Sequence, residues 1–236
     1  MTTVIGINGI DVETNKSYVL ILSDSQANST KGYPTSYNEI KLFSPENSNY
    51  AFGTAGKCIN NLFHSSDSSK GKLLTKEGGI LEKKQLETII SGMNDSLERD
   101  FEETNDFIVG LNDDNGVNMY FQTKDKLIHG SSYVVIGSGA EYVNKELMPI
   151  LSYKKHGRIY ANKNDIIDFA VNVMNKTFDE DKKTGGHIDL VMMQDNDINL
   201  IRKYGEPVSE NNSSNYEDEF KNNSMSGMHP KFREDY

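Results

Sequence analysis

The chain has 236 residues, of which 36% are hydrophobic, 25% are charged and one is cysteine, and its formal net charge is −10. That length fits one large domain or two small ones, the acidic balance argues against a surface built for nucleic acid or an anionic membrane, and the single Cys58 excludes an intramolecular disulfide. No run of about 18 apolar residues and no charged-then-apolar leader is present, so a soluble cytoplasmic protein is expected.

Taken in order, Thr3 to Ile7 is short and β-branched and predicts a strand. A turn-rich stretch from Asn8 to Lys16 leads into Ser17 to Leu22, a near-continuous apolar run that predicts a strand buried on both faces. The two form a hairpin that brings the chain back beside its own start. A polar loop of about a dozen residues is expected next, then strands at Glu39 to Phe43 and Tyr50 to Gly56. From Lys57 the residues Cys58, Ile59, Leu62 and Phe63 predict a helix that breaks in the serine-rich stretch 64–71. A stronger helix is predicted over about Lys84 to Phe101, where Leu86, Ile89, Ile90, Met93 and Leu97 form one apolar stripe.

Strands follow: a hairpin from Phe107–Leu111 and Val117–Phe121 around Asn112 to Gly116, then Lys126–His129 and Tyr133–Ile136. Helices are predicted at Glu141 to Leu151 and Asn164 to Phe178, then strands at His187–Met193 and Ile198–Ile201. From Gly205 the chain carries 7 acidic and 3 basic residues, a local charge of −4, and few apolar ones. The expected organisation is one domain over residues 1–204 and a disordered acidic tail over 205–236. The order of elements predicts an α+β fold, a four-layer αββα sandwich.

The chemistry centres on Thr2. Removal of Met1 would put a free α-amine and a hydroxyl on one residue, a nucleophile and its own general base. Such a residue needs a cation nearby, an acid to hold that cation and a backbone N–H to receive an oxyanion. Lys41 lies between apolar Ile40 and Leu42, Asp24 ends the returning strand, and Gly53-Thr54-Ala55-Gly56 ends a strand where exposed N–H groups collect. The five histidines show no metal-ligand spacing, so neither a metal nor a cofactor is expected.

These segments resemble the proteasome β subunits. Thr2-Thr3-Val4, Leu22-Ser23-Asp24-Ser25-Gln26-Ala27, Lys41-Leu42-Phe43, Thr54-Ala55-Gly56, Ile136-Gly137-Ser138-Gly139 and Asp179 to Asp189 follow the family's order over about residues 2–202. The resemblance implies the N-terminal nucleophile (Ntn) hydrolase fold and a threonine endopeptidase. Thr2 Oγ would attack a peptide carbonyl, with Lys41 held by Asp24, and Ser138, Asp181 and Thr184 would surround the Thr2 amine. The Gly56 N–H, or in competition that of Gly53, would receive the oxyanion. Asn28, Thr54, Ala55 and Cys58 would contact substrate.

The departures are Thr184 in place of serine, and Gln26 and Asn28 in place of arginine and threonine. Asp-x-Gln-Ala, with Met1 alone preceding Thr2, is similar to the proteasome-like peptidase of bacterial two-component ATP-dependent proteases. The implied setting is a homo-oligomeric ring with α-type ring subunits and an unfoldase ATPase, acting on unfolded peptide or protein. An Ntn amidase, a connectase-like peptide ligase and a non-catalytic ring subunit are the alternative expectations.

Overall fold

The computed structural model describes residues 2–28, 34–36, 40–45, 47–56, 79–101, 104–123, 126–149, 154–195 and 197–203. The helix expected from Lys57, with Cys58, and the acidic tail lie outside them. Fourteen strands and three helices are described: β1 (Thr3–Asp11), β2 (Ser17–Asp24), β3 (Ala27–Asn28), β4 (Pro34–Ser36), β5 (Leu42–Phe43), β6 (Tyr50–Ala55), α1 (Lys83–Phe101), β7 (Asp106–Asp113), β8 (Gly116–Thr123), β9 (Lys126–His129), β10 (Tyr133–Gly137), α2 (Ala140–Leu147), β11 (Lys154–Lys155), β12 (Arg158–Ala161), α3 (Lys163–Glu180), β13 (Ile188–Gln194) and β14 (Asp197–Lys203).

Two sheets carry the fold. A seven-stranded sheet runs β11-β12-β1-β2-β13-β14, with β10 also paired to β1, and a five-stranded sheet runs β5-β6-β7-β8-β9. β1 pairs antiparallel with β2 from Val4↔Ser23 to Ile10↔Ser17, as the hairpin pattern predicts. Its other edge is shared: β10 covers Thr3 to Ile7 antiparallel, and β12 covers Gly9 to Asp11 in parallel.

Alternation along the strands sorts the core into three clusters. Ile5 and Ile7 of β1, Leu20 and Leu22 of β2 and Leu190 of β13 pack against Val143 and Leu147 of α2 and Ala170, Val173 and Met174 of α3. The opposite face of that sheet, with Val4, Val19, Ile21, Val191 and Met193, meets Ala51, Ala55, Ile108, Val117 and Met119 of the five-stranded sheet. The far face of the five-stranded sheet, with Tyr50, Phe52, Phe107 and Val109, packs on Leu86, Ile89, Ile90, Met93 and Leu97 of α1. The stripe read in α1 is therefore its buried face.

Helix ends follow local chemistry. The Gln85 side chain accepts from the Glu82 N–H at 2.8 Å, half of a capping box ahead of α1. Asn162 caps α3 by accepting from the Asn164 N–H at 2.8 Å. Four short strands depart from the expected pattern. β3 and β4 form a ribbon within the stretch expected to be a polar loop, and β11 and β12 add to the sheet where periodicity shows nothing. Strands this short gain their pairing from an edge already in place rather than from their own composition. Of the predicted strand 39–43 the described residues are 40–43, and among them Leu42–Phe43 is strand.

Among the described residues, no helix is long and apolar enough to cross a membrane.

Candidate functional site

Register brings the motif residues to one end of the seven-stranded sheet. The β1/β2 hairpin sets the start of β1 beside the end of β2, β1/β10 pairing sets Thr3 opposite Gly137, and β2/β13 pairing sets Asp24 opposite Ile188. Thr2, the end of β2, the Gly137-Ser138 turn and the 181–187 segment therefore meet, although they lie up to 185 positions apart (187 − 2) in the chain.

The cation half of the site is built on Asp24, which is fully buried. Lys41 Nζ donates to Asp24 Oδ1 at 3.0 Å and also to the Gln26 carbonyl. The Thr3 N–H donates to the same Oδ1 at 2.8 Å. The N–H groups of Gly185 and Gln26 donate to Oδ2 at 3.2 and 3.3 Å. Burial pushes the Asp24 carboxyl above the usual carboxylate range, against the pull of Lys41 and these N–H donors. Gln26 is itself anchored, its side-chain amide donating to the Lys182 carbonyl at 2.9 Å.

The hydroxyl half is built on Asp181, the residue that ends α3. Ser138 Oγ and Thr184 Oγ1 both donate to Asp181 Oδ2, at 2.7 and 2.8 Å, and the Lys183 N–H donates to Oδ1 at 3.0 Å. Burial alone would raise this carboxyl, but the hydrogen bonds from Ser138, Thr184 and Lys183 together hold it below the usual range.

An ionised Asp181 can only accept, which fixes the proton directions outward from it. The Thr184 hydroxyl directs its hydrogen at Asp181, so at its 2.6 Å contact with Thr3 Oγ1 it accepts, and Thr3 donates. Thr3 Oγ1 accepts in turn from the Gly139 N–H at 3.0 Å. Ser138 likewise directs its hydrogen at Asp181 and keeps a lone pair to offer.

Thr2 is nearly fully buried, and its carbonyl accepts from the Ser138 N–H at 2.9 Å. Gly137 makes that approach possible: its φ is +96°, and a Cβ there would run into the Thr2 carbonyl group and stand 3.3 Å from Ala55 Cβ. Ala55, at the end of β6 in the other sheet, thus faces Thr2 and Gly137 across the gap between the sheets. Neither Thr2 Oγ1 nor its nitrogen hydrogen-bonds another described residue. The Asp181 cluster closes on Thr3 Oγ1, and Lys41 on Asp24.

Gly56 follows β6 with φ +137°, is exposed, and donates its N–H to no acceptor among the described residues. Gly53 lies inside β6, buried, opposite Leu42 on one side and Ile108 on the other. Its N–H belongs to the interior of the ladder, which leaves Gly56 as the accessible donor of the two. Thr54 donates its N–H to the Lys41 carbonyl at 3.0 Å, tying the turn to the backbone that carries the lysine. Asn28 falls in β3, its side chain outside the described residues, as is all of Cys58.

The sequence assigns no role to Thr3 or Asn105, and marks Gln26 only as a departure from the resembled motif. Thr3 reads as one more β-former in a strand, and only the direction of the Thr184 hydroxyl reveals its role. The anchor of Gln26 is a carbonyl 156 positions away. Beside this site His187 is buried, its N–H donating to Ser25 Oγ at 2.8 Å and its Nε2 lying 3.6 Å from Asp189 Oδ1.

No protein-family model matches the chain, and no curated protein matches it significantly.

Proposed function

We propose that this chain folds as the αββα sandwich of the Ntn hydrolases and is a threonine-type endopeptidase, with Thr2 as nucleophile once the Met1–Thr2 bond is cut. The observation that carries the reading is the meeting of two charge-bearing clusters at Thr2-Thr3: Lys41–Asp24 on the Thr3 N–H, and Asp181–Ser138–Thr184 on the Thr3 hydroxyl.

In this reading the freed Thr2 amine takes the proton of Thr2 Oγ as Oγ bonds to the peptide carbonyl carbon. The carbonyl π electrons move to oxygen, and the Gly56 N–H receives the oxyanion. The C–N bond then breaks, and the leaving amine takes the proton held by Thr2. Water attacks the resulting ester, its proton passing to the amine and then to Thr2 Oγ, which restores the enzyme. The positive charge of Lys41 favours a neutral amine and a negatively charged Oγ. Ser138, its proton committed to Asp181, offers its lone pair to an amine N–H, so the cluster holds the base without competing for its proton. The resemblance also implies substrate contacts for Thr54, Ala55, Asn28 and Cys58.

By the same resemblance the chain works in a cytoplasmic homo-oligomeric ring with α-type ring subunits and an unfoldase ATPase, on unfolded polypeptide. Intact-mass analysis of the purified chain tests for a free Thr2, and hydrolysis of fluorogenic peptides by wild type, Thr2→Ser and Thr2→Ala tests the nucleophile. The expected result is loss of hydrolysis in Thr2→Ala with partial retention in Thr2→Ser. Undiminished hydrolysis by Thr2→Ala overturns the reading, and aminolysis of the Thr2 ester by added peptide amines in preference to water identifies a ligase instead.

A further inference from the structure

Asn105 lies between α1 and β7, is 3% exposed, and belongs to none of the motifs above. Its backbone is gripped on both sides by one side chain of α1. Asn94 accepts from the Asn105 N–H at 3.0 Å and donates to the Asn105 carbonyl at 2.9 Å. Asn94 is braced in turn, its amide also reaching Gln122 Oε1 of β8 at 3.3 Å. The Asn105 side chain points the other way. Its Nδ2 donates to Thr54 Oγ1 at 3.1 Å, and its Oδ1, Cγ and Cα crowd the space where a Cβ on residue 56 would stand. Register explains the contact: Ala55 pairs with Asp106, so the next residues outward, Gly56 and Asn105, face each other beyond the end of the ladder.

We propose that Asn105 is a positioning residue that fixes the Thr54–Gly56 turn and so the direction of the Gly56 N–H. The proposal rests on the reading of that N–H as the oxyanion donor. Gly56 lies past the end of β6, and its φ of +137° is one that only glycine adopts freely, so its own conformation is not set by strand pairing. Three contacts hold the turn instead. The Lys41 carbonyl accepts from the Thr54 N–H, the Asn105 amide donates to the Thr54 hydroxyl oxygen, and Asn105 fills the space where a Cβ on residue 56 would stand. A polar side chain buried this deeply is fixed by its partners, and Asn94 transmits the rigidity of α1 to it. A donor that must meet charge developing in a transition state gains from being held still.

The test compares wild type, Asn105→Ala and Asn105→Asp. Asn105→Asp keeps the shape and reverses the bond, accepting from the Thr54 hydroxyl. Thr54→Val removes the same bond from its other end and serves where Asn105→Ala fails to fold. Two readouts are used: the 15N order parameter of the Gly56 amide by NMR, and kcat and KM for a fluorogenic peptide. In Asn105→Ala and Thr54→Val the Gly56 order parameter is expected to fall from the rigid-backbone value of about 0.85 to below about 0.6, and in Asn105→Ala kcat is expected to fall about 10- to 100-fold with KM nearly unchanged. Asn105→Asp is expected to recover most of both. A folded Asn105→Ala or Thr54→Val with a wild-type Gly56 order parameter overturns the proposal, whatever its activity. A lowered Gly56 order parameter in an enzyme whose hydrolysis survives Thr2→Ala upholds the positioning role while the peptidase reading fails.

Discussion

Thr3 Oγ1 and Thr184 Oγ1 lie 2.6 Å apart, and the proton between them belongs to Thr3. Thr184 donates its own hydrogen bond to Asp181, and the Gly139 N–H donates to Thr3 Oγ1 from the other side. With its N–H on Asp24, Thr3 is thus tied at three points to both halves of the site. Thr3→Val removes the hydroxyl and leaves the Gly139 N–H and a Thr184 lone pair buried without partners. A loss of about 1–3 kcal/mol is expected by urea unfolding, whereas Thr3→Ser, which keeps both bonds, is expected to lose less than about 1 kcal/mol. A loss in Thr3→Val no larger than that in Thr3→Ser would show that the hydroxyl contributes no more than the methyl group.

Lys41 and Asp24 form a buried pair, with Asp24 fully enclosed. Lys41→Met is therefore expected to strand the carboxylate and cost about 3–5 kcal/mol. The double variant Lys41→Met/Asp24→Asn removes both charges and is expected to be the more stable of the two at pH 7. A double-mutant cycle by chemical denaturation checks the sign, and a single variant as stable as wild type would contradict the pairing.

The two carboxylates give stability slopes of opposite sign with pH. Asp181 is held below its ordinary value in the folded chain, so its contribution is complete above the unfolded value of about 3.8 and is lost as pH falls through the lower folded value. Asp24 is displaced upward, so its contribution is greatest in acid and declines as pH rises from the unfolded toward the folded value. Asp181→Asn is expected to flatten the loss of stability below about pH 4. Denaturation midpoints from pH 2.5 to 6 decide the matter, and an unchanged acid limb in the variant would remove Asp181 from the account.

Gly137→Ala is expected to be costly for two separable reasons. The positive φ alone costs about 1–3 kcal/mol, and the new Cβ would meet the Thr2 carbonyl. Gly157 also has a positive φ, +76°, but nothing lies within 4 Å of a Cβ built there. The excess loss in melting temperature of Gly137→Ala over Gly157→Ala therefore measures the collision with Thr2. Similar losses in both variants would argue against close packing of the Gly137 turn on Thr2.

Much of the frame is legible locally. The stripe from Leu86 to Leu97 repeats at the helical period and is the buried face of α1. The β1/β2 hairpin follows from a turn-rich gap between two apolar runs, and the β7/β8 hairpin from Asn112 to Gly116 in the same way. The candidate residues Asp24, Lys41, Ser138, Asp181 and Thr184 were legible only through the order of their motifs. Each alone reads as an ordinary turn or surface residue.

What sequence by itself determines here is periodicity, turn chemistry and acidic balance, because each depends on neighbours within a few positions. Which residues meet was decided in three dimensions. β10 and β12 share one edge of β1, and that division sets Gly137 opposite Thr3. The contact between Thr3 and Thr184 spans 181 positions and the bond between Asn105 and Thr54 spans 51. Such bonds leave no periodic trace in the chain. At Thr2 the sequence names the residue, but sheet register selects its neighbours, and it closes both polar clusters on Thr3.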